Sequence, residues 1–232
     1  MINHLNCHIL IFNCIAHFKR KYVRAAGVAI YQNSNISHVS TTNIDLMVQN
    51  VTEINVNQAP VGDLCAFQIV MDNGREFLMV IVYILPNQKI DNIIAFLHRR
   101  LLPYSHEGSM LLKENLDKLS LILAEDFNVN FARDHSLPLI TFFQEKFSLH
   151  INNDPREATT RHGTAIDGVF TRYLDNVISR TFVAYFSYHC PIVISVPANE
   201  SLETSTPTVT EITNTAIDNI IIIIFVCFCM SL

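Results

Sequence analysis

Several things are scarce in this 232-residue sequence, and each absence narrows its reading. The six cysteines, Cys7, Cys14, Cys65, Cys190, Cys227 and Cys229, show no CxxC spacing. No histidine stands at zinc-finger distance from them, so neither a zinc site nor a disulfide framework is expected. Reduced thiols imply an intracellular address, with nucleus or cytoplasm unresolved. Basic residues are not in excess: 16 Lys and Arg stand against 21 Asp and Glu, a net charge of −5. That excludes a global field for holding a polyanion, so a nucleic-acid substrate needs a local patch or a metal. Lys19, Arg20, Lys21 and Arg24 make one basic cluster and Arg99-Arg100 another; such runs are commonly solvated faces. Acidic residues are absent before Asp45. Met1 to Cys14 lacks the basic start and cleavage site of a signal peptide. The apolar end, Ile220 to Leu232, falls short of the roughly 20 residues that cross a bilayer. Membrane association through it is a secondary expectation.

Half of the residues are hydrophobic (50%), enough for a sizeable core. The length suggests one domain, residues 1–197. A polar linker, 198–218, and an apolar tail foreign to the domain, 219–232, follow. Gly27 to Tyr31, Cys65 to Met71 and Phe77 to Ile84 read as strands. Asp72-Asn73-Gly74 joins the last two as a tight hairpin turn. Phe77 to Ile84 is almost wholly apolar, so both its faces should be covered. Another strand is expected within Asn43 to Val56. Asp91 to Leu102 has a helical apolar stripe, with Asp91 as cap and Pro103 as stop. Ser109 to Leu116 suggests a second helical piece and Pro138 to Phe147 a third. Ala165 to Phe170, Phe182 to Phe186 and Ile192 to Val196 complete the strands. Helices lying between strands predict an α/β layered sandwich, with sheets packed together and helices outside.

The chain is organised around Leu119 to Asn130. An apolar strand, Leu119 to Ala124, ends in Asp126 and Asn128. A carboxylate and an amide thus project from the end of a buried, rigid element, where α/β proteins put chemistry. The same two residue types also close strands as turn formers. Tyr83, Asp167 and His189 stand at further strand ends.

In their order and context these pieces resemble the endonuclease/exonuclease/phosphatase family of DNase I-like phosphodiesterases. The likeness is strongest to nuclease domains of mobile genetic elements, retrotransposons included. It is carried by Gly27-Val28-Ala29-Ile30-Tyr31, Tyr83 to Asn87, and Asp126-Phe127-Asn128. Thr160, Ile166-Asp167 and Ser187-Tyr188-His189-Cys190-Pro191-Ile192 complete it. The resemblance implies two mostly antiparallel sheets flanked by helices, incomplete at the N-terminus. It implies Mg²⁺- or Mn²⁺-dependent phosphodiester hydrolysis, with DNA ahead of RNA as substrate. Asp126 would handle the attacking water and Asn128 the phosphate region. Asp167 would pair with His189, His189 would contact the scissile phosphate, and Tyr83 would steady it. Asp126 and Asp167 would hold the metal. The chemistry suits these types: a carboxylate activates water, and cationic groups meet the charge that builds on phosphorus.

Three departures follow. Glu125 stands where the family has glycine, and strains the backbone if φ there is positive. Tyr188 replaces the aspartate of a Ser-Asp-His motif. The upstream metal-binding glutamate has no counterpart before Asp45. A catalytically dead remnant is therefore an alternative, as is a phosphatase or phosphodiesterase acting on a lipid headgroup or small phosphodiester.

Overall fold

A computed structural model describes residues 12–19, 27–33, 39–46, 61–183, 185, 187–197 and 219–224. The architecture is mixed α/β. Two strands, β1 (Phe12–Lys19) and β2 (Gly27–Asn33), form an antiparallel pair. The central sheet uses β3 (Val39–Ile44), β4 (Gly62–Met71), β5 (Glu76–Ile84), β6 (Ser120–Asp126), β7 (His150–Ile151) and β8 (Asp167–Arg172). Its order is β3-β4-β5-β6-β8-β7. All neighbours in it are antiparallel except β5 and β6. A third sheet joins β9 (Ile178–Thr181), β10 (Ile192–Pro197) and β11 (Asn219–Ile224), with β10 in the middle. The helices are α1 (Ile90–Leu101), α2 (His106–Leu112) and α3 (Leu137–Phe147).

Alternation along the strands divides the core in two. Leu78, Val80, Val82 and Ile84 of β5 face one way, with Leu121 and Leu123 of β6, and meet α1 and α3. Phe77, Met79, Ile81 and Tyr83 face the other way, with Ile122 and Ala124. They meet Ala16 of β1, Val28 and Ile30 of β2, and Ile192, Ile194 and Val196 of β10. β5 is thus covered on both faces, as its composition requires. Phe127, Phe131, Phe143 and Phe170 interlock on the helix side at centroid separations of 4.6 to 5.8 Å.

The Asp72-Asn73-Gly74 turn forms as expected: Gly74 N–H donates to Met71 O at 2.9 Å, with Gly74 at φ 81°. Other elements differ from expectation. The layer opposite the helices is two small sheets instead of one. Asp91 does not cap α1; that position is Lys89, with no side-chain cap, and Asp91 sits in the first turn. α2 begins at His106, because Ser105 Oγ accepts from Gly108 N–H, and ends where Lys113 turns left-handed. The strand expected over 182–186 is β9 instead; Phe182, Val183 and Tyr185 lie beyond it and are exposed. β3 occupies Val39–Ile44, and most of the segment 43–56 expected to hold another strand lies outside the described residues with 47–60, as does the linker at 198–218. Residues 219–224, read as part of a separate tail, pair antiparallel with β10. No helix among the described residues is long and apolar enough to cross a membrane.

Candidate active site

The register of the central sheet builds the site. β5 and β6 run parallel, so their last residues lie side by side: Tyr83 is in register with Asp126. β4 and β8 run antiparallel to them, so their opening residues reach the same edge. Asp63 is in register with Tyr83, and Asp167 with Asp126. One row, Asp63-Tyr83-Asp126-Asp167, therefore crosses four strands and is buried throughout. In-register neighbours share a face, which here is the one opposite the helices. Gly62 permits the tight fit at this edge, since a Cβ there would fall 2.6 Å from the Tyr83 carbonyl oxygen.

Phe127 aims the loop after β6. Its ring is fully buried among Phe131, Phe143 and Phe170, and its N–H donates to Ile166 O at 3.0 Å. Asp126 Oδ1 accepts from Asn128 N–H at 2.9 Å, and its Oδ2 accepts from Asn128 Nδ2 at 3.1 Å. Asn128 Nδ2 also donates to Ile84 O at 2.7 Å. The turn-forming reading of this pair is thus realised in its hydrogen bonds. Asn128 sits at φ 48°, which asparagine tolerates. Its contacts make it the residue that fixes Asp126. Glu125 is held at φ 109°, a region that residues with a Cβ avoid. The strain expected of a side chain at positive φ in this position is present.

His189 reaches the row from the segment before β10. Thr160 and His189 pair as an isolated bridge, and Cys190 N–H donates to Thr159 O at 2.8 Å. His189 Nδ1 lies 3.0 Å from both Asp167 oxygens, and its Nε2 lies 3.8 Å from Asp126 Oδ2. Asp167 is itself braced by two residues that sequence reading passed over. Thr159 Oγ1 accepts from Ile166 and Asp167 N–H, each at 3.0 Å. Asn153 Oδ1 accepts from Val169 N–H at 2.8 Å. Asp63 was passed over too, since the strand was expected to begin at Cys65 whereas β4 begins at Gly62. The long-range pairing to Tyr83 is what reveals it.

The electrostatics are lopsided. Burial, then repulsion from Asp167, pushes the Asp126 carboxyl up to about 7, against the pull of Asn128 and His189. Burial, then the charges of Asp167 and Asp126, holds Glu125 well above the usual carboxylate range. Burial works against a charged His189, but the Asp167 hydrogen bond and the two aspartates outweigh it and raise its pKa. Asp126, Asp167 and His189 each offer a ligand atom, and these atoms lie within 4.8 Å of one another.

No protein-family model matches the chain, and no curated protein does. Among solved structures it is similar to the human Nocturnin catalytic domain with bound sulfate anion. The TM-score is 0.44 at 13% identity, over 78% of this chain. The chain spans 59% of that domain's length.

Proposed function

We propose that this is a metal-dependent phosphodiesterase domain that hydrolyses nucleic acid, with DNA cleavage as its reaction, of the kind carried by mobile genetic elements. The observation that carries the reading is the buried Asp126, Asp167 and His189 group. The donor set fits a hard divalent cation such as Mg²⁺ or Mn²⁺, because two aspartates outweigh one imidazolium and carboxylate oxygens suit such ions. Asp126 and Asp167 would hold it. When bound, it would supply positive charge against a phosphate oxygen.

The chain's own groups have separate tasks. Asp126, fixed by Asn128, orients the attacking water and accepts its proton as the water oxygen bonds to phosphorus, while the opposite P–O ester bond breaks and its alkoxide leaves with a proton from solvent. Asp167 holds His189 in orientation and keeps it protonated, so that it can donate a hydrogen bond to the phosphoryl oxygen as negative charge grows. Tyr83 stands next to Asp126 in the row, where it can steady the phosphate. Glu125 and Tyr188 favour a second reading, a domain that keeps the fold and binding but has lost turnover. One adds a buried carboxyl beside Asp126, and the other removes a charge beside His189.

The test is nicking of supercoiled plasmid by the full chain with Mg²⁺ or Mn²⁺, beside Asp126→Ala and an EDTA control. Metal-dependent nicking lost in the variant is the expected result. Nicking that survives in Asp126→Ala, or none from a folded wild type, overturns hydrolysis by this site.

A further inference from the structure

Tyr188 occupies an odd position. It directly precedes His189, which is only 4% exposed, yet is itself 45% exposed. Its mount is firm. Arg161 N–H donates to Tyr188 O at 3.1 Å, and His189 N–H to Ser187 Oγ at 3.2 Å. The ring meets His189 at 5.1 Å and 71°, and His162 at 5.2 Å and 60°. Both contacts are steep, so neither imidazole lies flat upon it. Arg161 and His162 are exposed on the neighbouring loop. The edge of the candidate site therefore brings together an oriented aromatic surface, the backbone of the exposed Arg161, and a buried histidine that would face phosphate. A planar ring beside a phosphate is the shape of a nucleotide. Inositol and other sugar phosphates offer no π-face for such a ring to stack on.

We propose that Tyr188 is a stacking platform for the base beside the scissile phosphate. It selects nucleic acid with an unstacked base, that is, a single strand or a locally opened duplex. A base inside a duplex already spends both faces on its neighbours, whereas a single strand can lay one on a protein ring. The cleavage part of this specificity rests on the phosphodiesterase reading; the stacking does not.

The test uses the full chain in EDTA with single-stranded DNA and RNA oligonucleotides. Each is made with 2-aminopurine at one position, and again with that position abasic. Anisotropy reads binding, and 2-aminopurine fluorescence reads stacking. The wild type is expected to quench the fluorescence and to bind the base-bearing strand about tenfold or more tighter than the abasic one. Tyr188→Ala is expected to lose both effects, while Tyr188→Trp keeps them. The relative affinity of the DNA and RNA arms assigns the sugar. Equal binding of base-bearing and abasic strands, no binding at all, or quenching retained in Tyr188→Ala overturns the proposal. Plasmid nicking is scored separately. Quenching without metal-dependent nicking removes only the hydrolytic reading, and nicking without base preference removes only the stacking.

Discussion

β8 carries a buried charge at each end, and the two ends are treated in opposite ways. Arg172 closes the strand and Asp167 opens it, each 3% exposed. The Arg172 guanidinium donates to four main-chain carbonyls, Leu119 at 2.9 Å, Tyr104 at 2.7 Å, Phe147 at 3.0 Å and Leu116 at 2.9 Å. Phe147 ends α3, and Tyr104 and Leu116 belong to single-turn 3₁₀ helices. One cation thus meets carbonyls at the ends of α3 and of one 3₁₀ turn, together with Leu116 O, which also accepts from Leu119 N–H, and Leu119 O. At the other end, Asp167 shares His189 with Asp126, and negative charge is left over. A charge matched by the fixed backbone is scaffold. A charge left over inside the protein invites a cation or a reacting group.

Breaking each end in turn sharpens the contrast. The largest effect is expected from Asp126→Ala: plasmid nicking falls by about 10³-fold, in the range for losing a general base. Its circular dichroism stays that of the wild type. Arg172→Met should instead cost about 3 kcal/mol or more in urea unfolding, because the carbonyls lose a charge-assisted partner in a buried place.

A pH series separates the ends further. Asp126 titrates near 7 in the fold, against about 3.9 in an unfolded chain. Between those values the folded state holds a proton that the unfolded state has lost. This stability is fully present below about pH 4 and is lost as pH rises through 7. The raised pKa of His189 has the same sign, its contribution fading as pH climbs through the folded value. Metal-free protein is therefore expected to lose up to about 4 kcal/mol from this edge between pH 4 and 8. Asp126→Asn should flatten that slope in thermal melts, and saturating Mg²⁺ should restore stability at pH 8. Arg172→Met should leave the slope unchanged. The smallest effect belongs to Glu125→Gly. Relief of a positive-φ side chain should raise stability by about 1–2 kcal/mol at pH 8, measured by chemical denaturation.

Sequence reading succeeded where structure is local. The Asp72 to Gly74 turn, β5, α1 and β6 follow from short-range periodicity and turn chemistry, and the α/β layering from their alternation. It faltered where a partner far along the chain decides. β1 looks mixed in sequence, since only β2 and the β4–β5 surface give its alternation meaning. Phe182 to Phe186 has the composition of a strand, but pairing with β10 is taken by β9. Arg172 carries no local signal of its role, which depends on carbonyls from three distant segments. Among the candidate site residues, the strand-end positions of Tyr83, Asp126 and Asp167 were legible. Asp63, Asn153 and Thr159 were not, because register alone ties them to the rest.

The four-strand row Asp63-Tyr83-Asp126-Asp167 also bears on how the sheet finds its pairing. A slip of one residue reverses which face each side chain meets. For β6 it would carry Asp126 into the layer of Leu121, Leu123 and the phenylalanine cluster. A carboxylate set there without partners costs several kcal/mol, whereas a slipped leucine finds another apolar neighbour. The row thus acts as a proofreader of strand alignment. A slipped sheet is therefore disfavoured, and the favoured register is the one that gathers the acids at one edge.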